Sequence, residues 1–119
     1  MSAASVLVVD DEVGMRETVA DILTGMGYTV STATDGEDAL EQLRTATYSL
    51  VLMDIRMPGR DGISVLREIG KPPPPVVLMT AYAGDDELQA AADAGSFTVL
   101  HKPVPAGRLL DVVARALAA

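Results

Sequence analysis

Asp54 closes an apolar run, Ser49-Leu50-Val51-Leu52-Met53, and a turn follows at Pro58-Gly59 and Asp61-Gly62. The run shows no alternation, which suits a strand buried on both faces. A carboxylate at the end of such a strand stands where a central sheet opens to solvent, the place where open α/β sheets bind ligands. Three other runs end in residues of complementary chemistry: Ser5-Val6-Leu7-Val8-Val9 in Asp10-Asp11-Glu12, Val76-Val77-Leu78-Met79 in Thr80, and Thr98-Val99-Leu100 in His101-Lys102-Pro103. Brought to one rim, the acids repel and raise one another's pKa unless a cation joins them. A hard divalent cation with oxygen ligands resolves that conflict, and Mg²⁺ is the natural choice. A cation, the Lys102 ammonium and the Thr80 hydroxyl around Asp54 make a binding shell for a phosphoryl group. Asp54 can then act as the nucleophile and form an acyl phosphate.

Each residue has a plainer reading on its own. Asp54 could start a turn, Asp10-Asp11 could cap a helix, Thr80 could end a strand and Lys102-Pro103 could be a loop. The four arriving in order on four strands are much harder to obtain by accident.

The elements that must position them alternate along the chain. Val19, Ile22, Leu23 and Met26 recur at helical spacing, with Gly25 and Gly27 as the stop. Tyr28 to Ala33 reads as a second strand. Asp35 can cap the next helix, with Asp38 as a box-like partner and Ala39, Leu40 and Leu43 as the inner stripe. A third helix spans about Ile63 to Ile69, and Gly70-Lys71-Pro72-Pro73-Pro74-Pro75 breaks it. That proline run reads as a connector from helix to strand rather than as a ligand for a proline-reading domain. Asp85-Asp86-Glu87 suit the positive end of a fourth helix, with Leu88, Ala91 and Ala92 facing inward, and Gly95 ends it. Pro105 suits the start of a last helix striped by Leu109, Val112, Val113 and Leu117. The five strand–helix alternations give an α/β, (βα)5 reading: one domain over residues 1–119, a doubly wound parallel five-stranded sheet with right-handed crossovers.

Composition agrees. A chain of 119 residues with 49% hydrophobic residues can bury one core, and only 3% aromatics means that aliphatic side chains fill it. A net charge of −8 disfavours direct binding to nucleic acid or an anionic membrane. The absence of Cys rules out a disulfide or thiolate site and fits a reducing cytoplasm. Met1 to Ser5 lack a basic signal-peptide start, and no apolar run approaches the roughly 20 residues of a membrane span.

Taken together, Val8-Val9-Asp10-Asp11-Glu12, Met53-Asp54 through Asp61-Gly62, Met79-Thr80-Ala81 and Lys102-Pro103 resemble the receiver domain of two-component response regulators. The resemblance covers nearly the whole chain and implies a flavodoxin-like sheet of order 2-1-3-4-5. It implies that Asp54 accepts a phosphoryl group from the phosphohistidine of a sensor histidine kinase or phosphotransfer protein. Asp11, Asp54 and the backbone carbonyl of Arg56 would hold Mg²⁺, with Asp10 acting through water. Thr80 and Lys102 would contact the phosphoryl group and pass the change to a protein–protein interface read by a downstream effector domain or protein. The family usually carries Tyr or Phe three residues before the lysine, where this chain has Val99, with Phe97 two residues earlier. His101, the one histidine, reads as a rim residue beside Lys102.

Two other readings compete. A Mg²⁺-dependent aspartyl phosphohydrolase would carry a second Asp as general acid two residues after the nucleophile, where Arg56 stands, and would have a cap domain for substrates. A pseudo-receiver without phosphorylation would not need the full set of Asp10, Asp11, Asp54, Thr80 and Lys102. The chain leaves no room for a DNA-binding domain, and could be a stand-alone regulator or a piece of a longer one. Arg108 and Arg115 could pair with Asp85, Asp86 or Asp93 of a second copy, so a homodimer is open.

Overall fold

The computed structural model describes residues 3–70 and 72–119. Met1 and Ser2, of the start read as lacking a basic signal-peptide region, and Lys71 of the predicted helix break lie outside the described residues. The chain runs β1 (Ser5–Val9), α1 (Val13–Gly25), β2 (Thr29–Ala33), α2 (Gly36–Thr45), β3 (Leu50–Asp54), α3 (Gly62–Glu68), β4 (Val76–Thr80), α4 (Asp85–Asp93), β5 (Thr98–His101) and α5 (Ala106–Ala118). The five strands form one parallel sheet of order β2-β1-β3-β4-β5.

Strand alternation divides the apolar residues between two cores. Leu7, Val9, Val51, Met53 and Leu78 pack under α2, α3 and α4 with Ala39, Val65, Leu66 and Ala91. Val6, Val8, Leu52, Val77 and Met79 pack under α1 and α5 with Val19, Leu23, Leu109, Val112 and Val113. All residues of β3 and β4 are buried, so the unalternated runs are strands covered on both faces. β2 lies at the sheet edge and is mostly exposed or half-buried.

The expected stripes hold with local corrections. Met26 is exposed, because α1 ends at Gly25 and Met26 turns away as its C-cap. On α4 the inward residue is Ala91, flanked by partly buried Ala90 and Ala94, while Ala92 is exposed: the helix is rolled relative to the expected stripe. Asp35 caps α2 as expected, its carboxylate accepting from the Asp38 amide at 2.8 Å, and the Asp38 carboxylate accepts from the Thr34 amide. The Pro75 carbonyl accepts from the Val51 amide at 3.0 Å, so the proline run feeds directly into the sheet. Arg108 and Arg115 each pair with Asp111 on α5 itself.

The turn after β3 sets the height of the rim. Gly59 adopts φ +83°, and the Gly62 amide donates to the Ile55 carbonyl at 2.8 Å. A Cβ on Gly62 would stand 2.4 Å from the Asp54 carbonyl oxygen. Only glycine lets α3 begin against the backbone of the residue that ends β3. Gly62→Ala should therefore destabilise the fold by about 1–3 kcal/mol. Gly14→Ala, which meets open space in α1, should stabilise by about 0.5–1 kcal/mol. Urea denaturation of the two variants checks this opposition of sign.

Candidate functional site

Parallel strands deliver their carboxyl ends to one rim, and four of the five carry the site. Asp10 follows β1, Asp54 ends β3, Thr80 ends β4 and Lys102 follows β5. Asp10 and Thr80 are fully buried, and Asp54 is 7% exposed. The Lys102 ammonium reaches across the sheet and donates to Asp10 Oδ2 at 2.9 Å and to Asp54 Oδ2 at 3.1 Å. The remaining oxygens are also engaged: Asp10 Oδ1 accepts from the Glu12 amide at 2.9 Å, and Asp54 Oδ1 from the Arg56 amide at 3.3 Å. Asp11 is exposed beside them, and one carboxylate oxygen each from Asp10, Asp11 and Asp54 lie within 4.8 Å of one another. Three carboxylates converging in this way could hold a metal ion. All-oxygen donors are the chemistry that hard divalent cations select.

The charges are tuned by burial. Loss of solvent pushes the Asp54 carboxyl above its ordinary range; Lys102 opposes the rise through its hydrogen bond and charge, and Asp10 adds to it. Burial alone would lower the Lys102 ammonium, but its hydrogen bonds to Asp10 and Asp54 outweigh that and hold it above its ordinary value. Lys102 is therefore a fixed positive charge at neutral pH.

Thr80 is buried with its hydroxyl already committed. It donates to the Tyr82 carbonyl at 2.8 Å and accepts from the Tyr82 amide at 3.3 Å. To donate to a group on Asp54, that hydroxyl must release the Tyr82 carbonyl. Among the described residues, every buried side-chain nitrogen and oxygen has a hydrogen-bond partner.

All the residues singled out by their spacing meet here, except that Arg56 contributes differently in its two parts. Its amide stays on Asp54, while its guanidinium leaves for Glu87 of α4 at 3.0 Å. No second acid stands two residues after Asp54, as an aspartyl phosphohydrolase would need. Two supports were not legible from spacing. Arg16 of α1 donates to the Asp10 carbonyl at 2.8 Å, and Glu87, which reads only as a favourable charge at a helix start, is the partner of Arg56. Val99 is half-buried against the core under α4, and Phe97 is 40% exposed. Phe97 bonds to Val76 at the far end of β4 from Thr80, and so cannot stand in behind that hydroxyl.

A buried acid at the end of the central strand, braced by a lysine from the strand-five end and flanked by two further acids, lies where doubly wound sheets bind their ligands. The chain belongs to the response regulator receiver domain family, whose family model matches residues 6–114. It is a receiver domain of the response regulators of two-component signalling, and its rim is consistent with a phosphoacceptor role. It is 40% identical over 115 residues to the transcriptional regulatory protein ZraR of Salmonella typhimurium, an alignment covering 95% of this chain and 26% of that protein. The chain thus spans about a quarter of the length of the curated relatives it matches. Among solved structures, a CheY-like response regulator receiver domain protein from Methanospirillum hungatei superposes with a TM-score of 0.95 at 26% identity, covering 98% of this chain and 95% of that one. The receiver domain of NtrX from Brucella abortus superposes with a TM-score of 0.88 at 36% identity, covering 96% and 98%. No helix among the described residues is long and apolar enough to cross a membrane.

Two measurements check the electrostatics. Lys102→Ala leaves Asp10 and Asp54 buried with no cation and should cost about 3 kcal/mol in metal-free buffer, with part of the loss recovered on adding Mg²⁺. The raised Asp54 pKa means that the native state binds this proton more tightly than the unfolded chain. That contribution to stability is full below the unfolded value of 3.8 and is lost as pH rises through the native one. Asp54→Asn should therefore be more stable than the parent protein at neutral pH without metal, and its advantage should shrink as the buffer is acidified. Thermal melts between pH 7 and pH 3 read both trends.

Proposed function

We propose that Asp54 is the phosphoacceptor, and that the donor is the phosphohistidine of a sensor histidine kinase or phosphotransfer protein. The observation that carries the reading is the Lys102 ammonium held 3.1 Å from Asp54 Oδ2, with the oxygens of Asp10 and Asp11 gathered beside it. An Asp54 carboxylate oxygen attacks phosphorus in line, the P–N bond to the imidazole breaks, and its electron pair leaves on the imidazole nitrogen, which takes up a proton. The product is an acyl phosphate on Asp54. Lys102 would pair one phosphoryl oxygen, and Thr80 would donate to another once its hydroxyl leaves the Tyr82 carbonyl. Burial of Asp54 strips the nucleophile of much of its water before the donor arrives.

Asp11, Asp54 and the Arg56 carbonyl would hold Mg²⁺, with Asp10 acting through water. When bound, Mg²⁺ supplies positive charge against the phosphoryl oxygens. The domain would catalyse only its own phosphorylation and dephosphorylation. Its readout would be a changed protein–protein surface for an effector domain or protein in the cytoplasm. The relative named as a transcriptional regulator is about four times this chain's length, so an attached effector is the partner that likeness favours.

Asp54→Asn keeps the shape of the side chain but lacks the attacking oxygen, and should abolish hydroxylamine-labile labelling by acetyl phosphate. Full labelling of that variant would exclude Asp54 as the acceptor. Asp11→Ala should weaken Mg²⁺ binding by about tenfold or more, measured by calorimetry, and slow labelling in parallel.

A further inference from the structure

Arg56 is rooted at the phosphoacceptor and anchored elsewhere. Its amide lies 3.3 Å from Asp54 Oδ1, yet its guanidinium is drawn 3.0 Å from Glu87 Oε1 in the first turn of α4. The arginine side chain is 61% exposed, so packing does not lock the guanidinium, while Glu87 is 24% exposed. Ion pairs this open are weak. α4 depends on this one unusually. Its single fully buried side chain is Ala91, Gly84 gives it no side-chain cap, and its other side-chain hydrogen bond, Gln89 to Asp93, stays within the helix. Among the described residues, Arg56–Glu87 is the only side-chain ion pair joining α4 to another element.

We propose that this ion pair is an anion-exchange latch, in which a phosphoryl group on Asp54 competes with Glu87 for the Arg56 guanidinium and its capture frees the first turn of α4. The inference rests on the phosphoacceptor reading and adds the element that the phosphoryl group releases. A planar guanidinium binds phosphoryl oxygens bidentately, and a group bearing about two negative charges beside the root of Arg56 outcompetes the single carboxylate of Glu87. A ligand shifts an equilibrium only by its differential affinity for the two states. Here the difference is explicit: the latched state offers the anion no guanidinium, and the released state does. Glu87 is therefore a positioning residue that withholds Arg56 until the anion is present. Linkage makes the coupling reciprocal, so breaking the latch must tighten anion binding by the factor that anion binding loosens the latch.

The test is titration of the full chain with beryllofluoride, a phosphoryl mimic, at fixed Mg²⁺, followed by amide and guanidine NMR. In the parent protein the Arg56 Nε–H resonance and the amides of residues 85–88 should move on binding. Glu87→Gln should tighten the apparent beryllofluoride affinity by about two- to fivefold. In that variant the amides of 85–88 should already stand near their bound positions before the anion is added. In the Arg56→Ala background, adding Glu87→Gln should change nothing further. Asp86→Asn, which removes the same charge from the same turn without touching Arg56, should leave the affinity unchanged. An unchanged or weakened affinity in Glu87→Gln would overturn the latch. So would an equal gain from Asp86→Asn, or a gain that persists without Arg56. A parent protein that takes up no beryllofluoride with Mg²⁺ would overturn the phosphoacceptor reading and the latch together.

Discussion

The ammonium of Lys102 between Asp10 and Asp54 is the interaction on which the rest of the rim depends. It joins residues 92 and 48 positions apart in sequence, so it forms only when β1, β3 and the end of β5 are all in place. Without it, two carboxylates stand buried side by side, a costly arrangement in a medium that screens charge poorly. With it, both carboxylates are oriented by a shared donor, and their geometry is set before any ligand arrives. The same contact explains why the strands must end level. The register pairs Val9 with Met53 and Thr80 with His101, which brings Asp10, Asp54, Thr80 and Lys102 to one height at the sheet's edge.

Close approach of the backbone maintains that height. Gly62 starts α3 against the Asp54 carbonyl, and Gly36 starts α2 where a Cβ would stand 2.8 Å from Val65 Cγ2. Two helices on the same face are thus seated by the absence of a side chain. Arg60 then spans them, pairing with Glu37 beside α2's start and Glu68 at α3's end. These exposed pairs are individually weak, and they serve position more than stability.

Most of the architecture was legible because the two periodicities are clean. Runs of Val and Leu closed by an acid, a threonine or a lysine gave both the strands and the chemistry at their ends. The parts that spacing did not announce share one cause: they depend on how far a helix is rolled, or on where a long side chain goes. The roll of α4 turned Ala92 outward and brought Ala90 and Ala94 against the core. The guanidinium of Arg56 could lie over Asp54 or away from it, and in the fold it pairs with Glu87. Likewise, Asp61-Gly62 reads as an ordinary turn, and its contact with the Asp54 carbonyl appears only once the chain has folded back.

Thr80 carries a single hydroxyl proton, and the Tyr82 carbonyl holds it at 2.8 Å. A proton shared between two acceptors bonds each more weakly than a proton aimed at one. When an acceptor appears on Asp54, the hydroxyl serves either that acceptor or the loop. The loop after β4 is thus tied, through this one proton, to whatever the Thr80 hydroxyl serves.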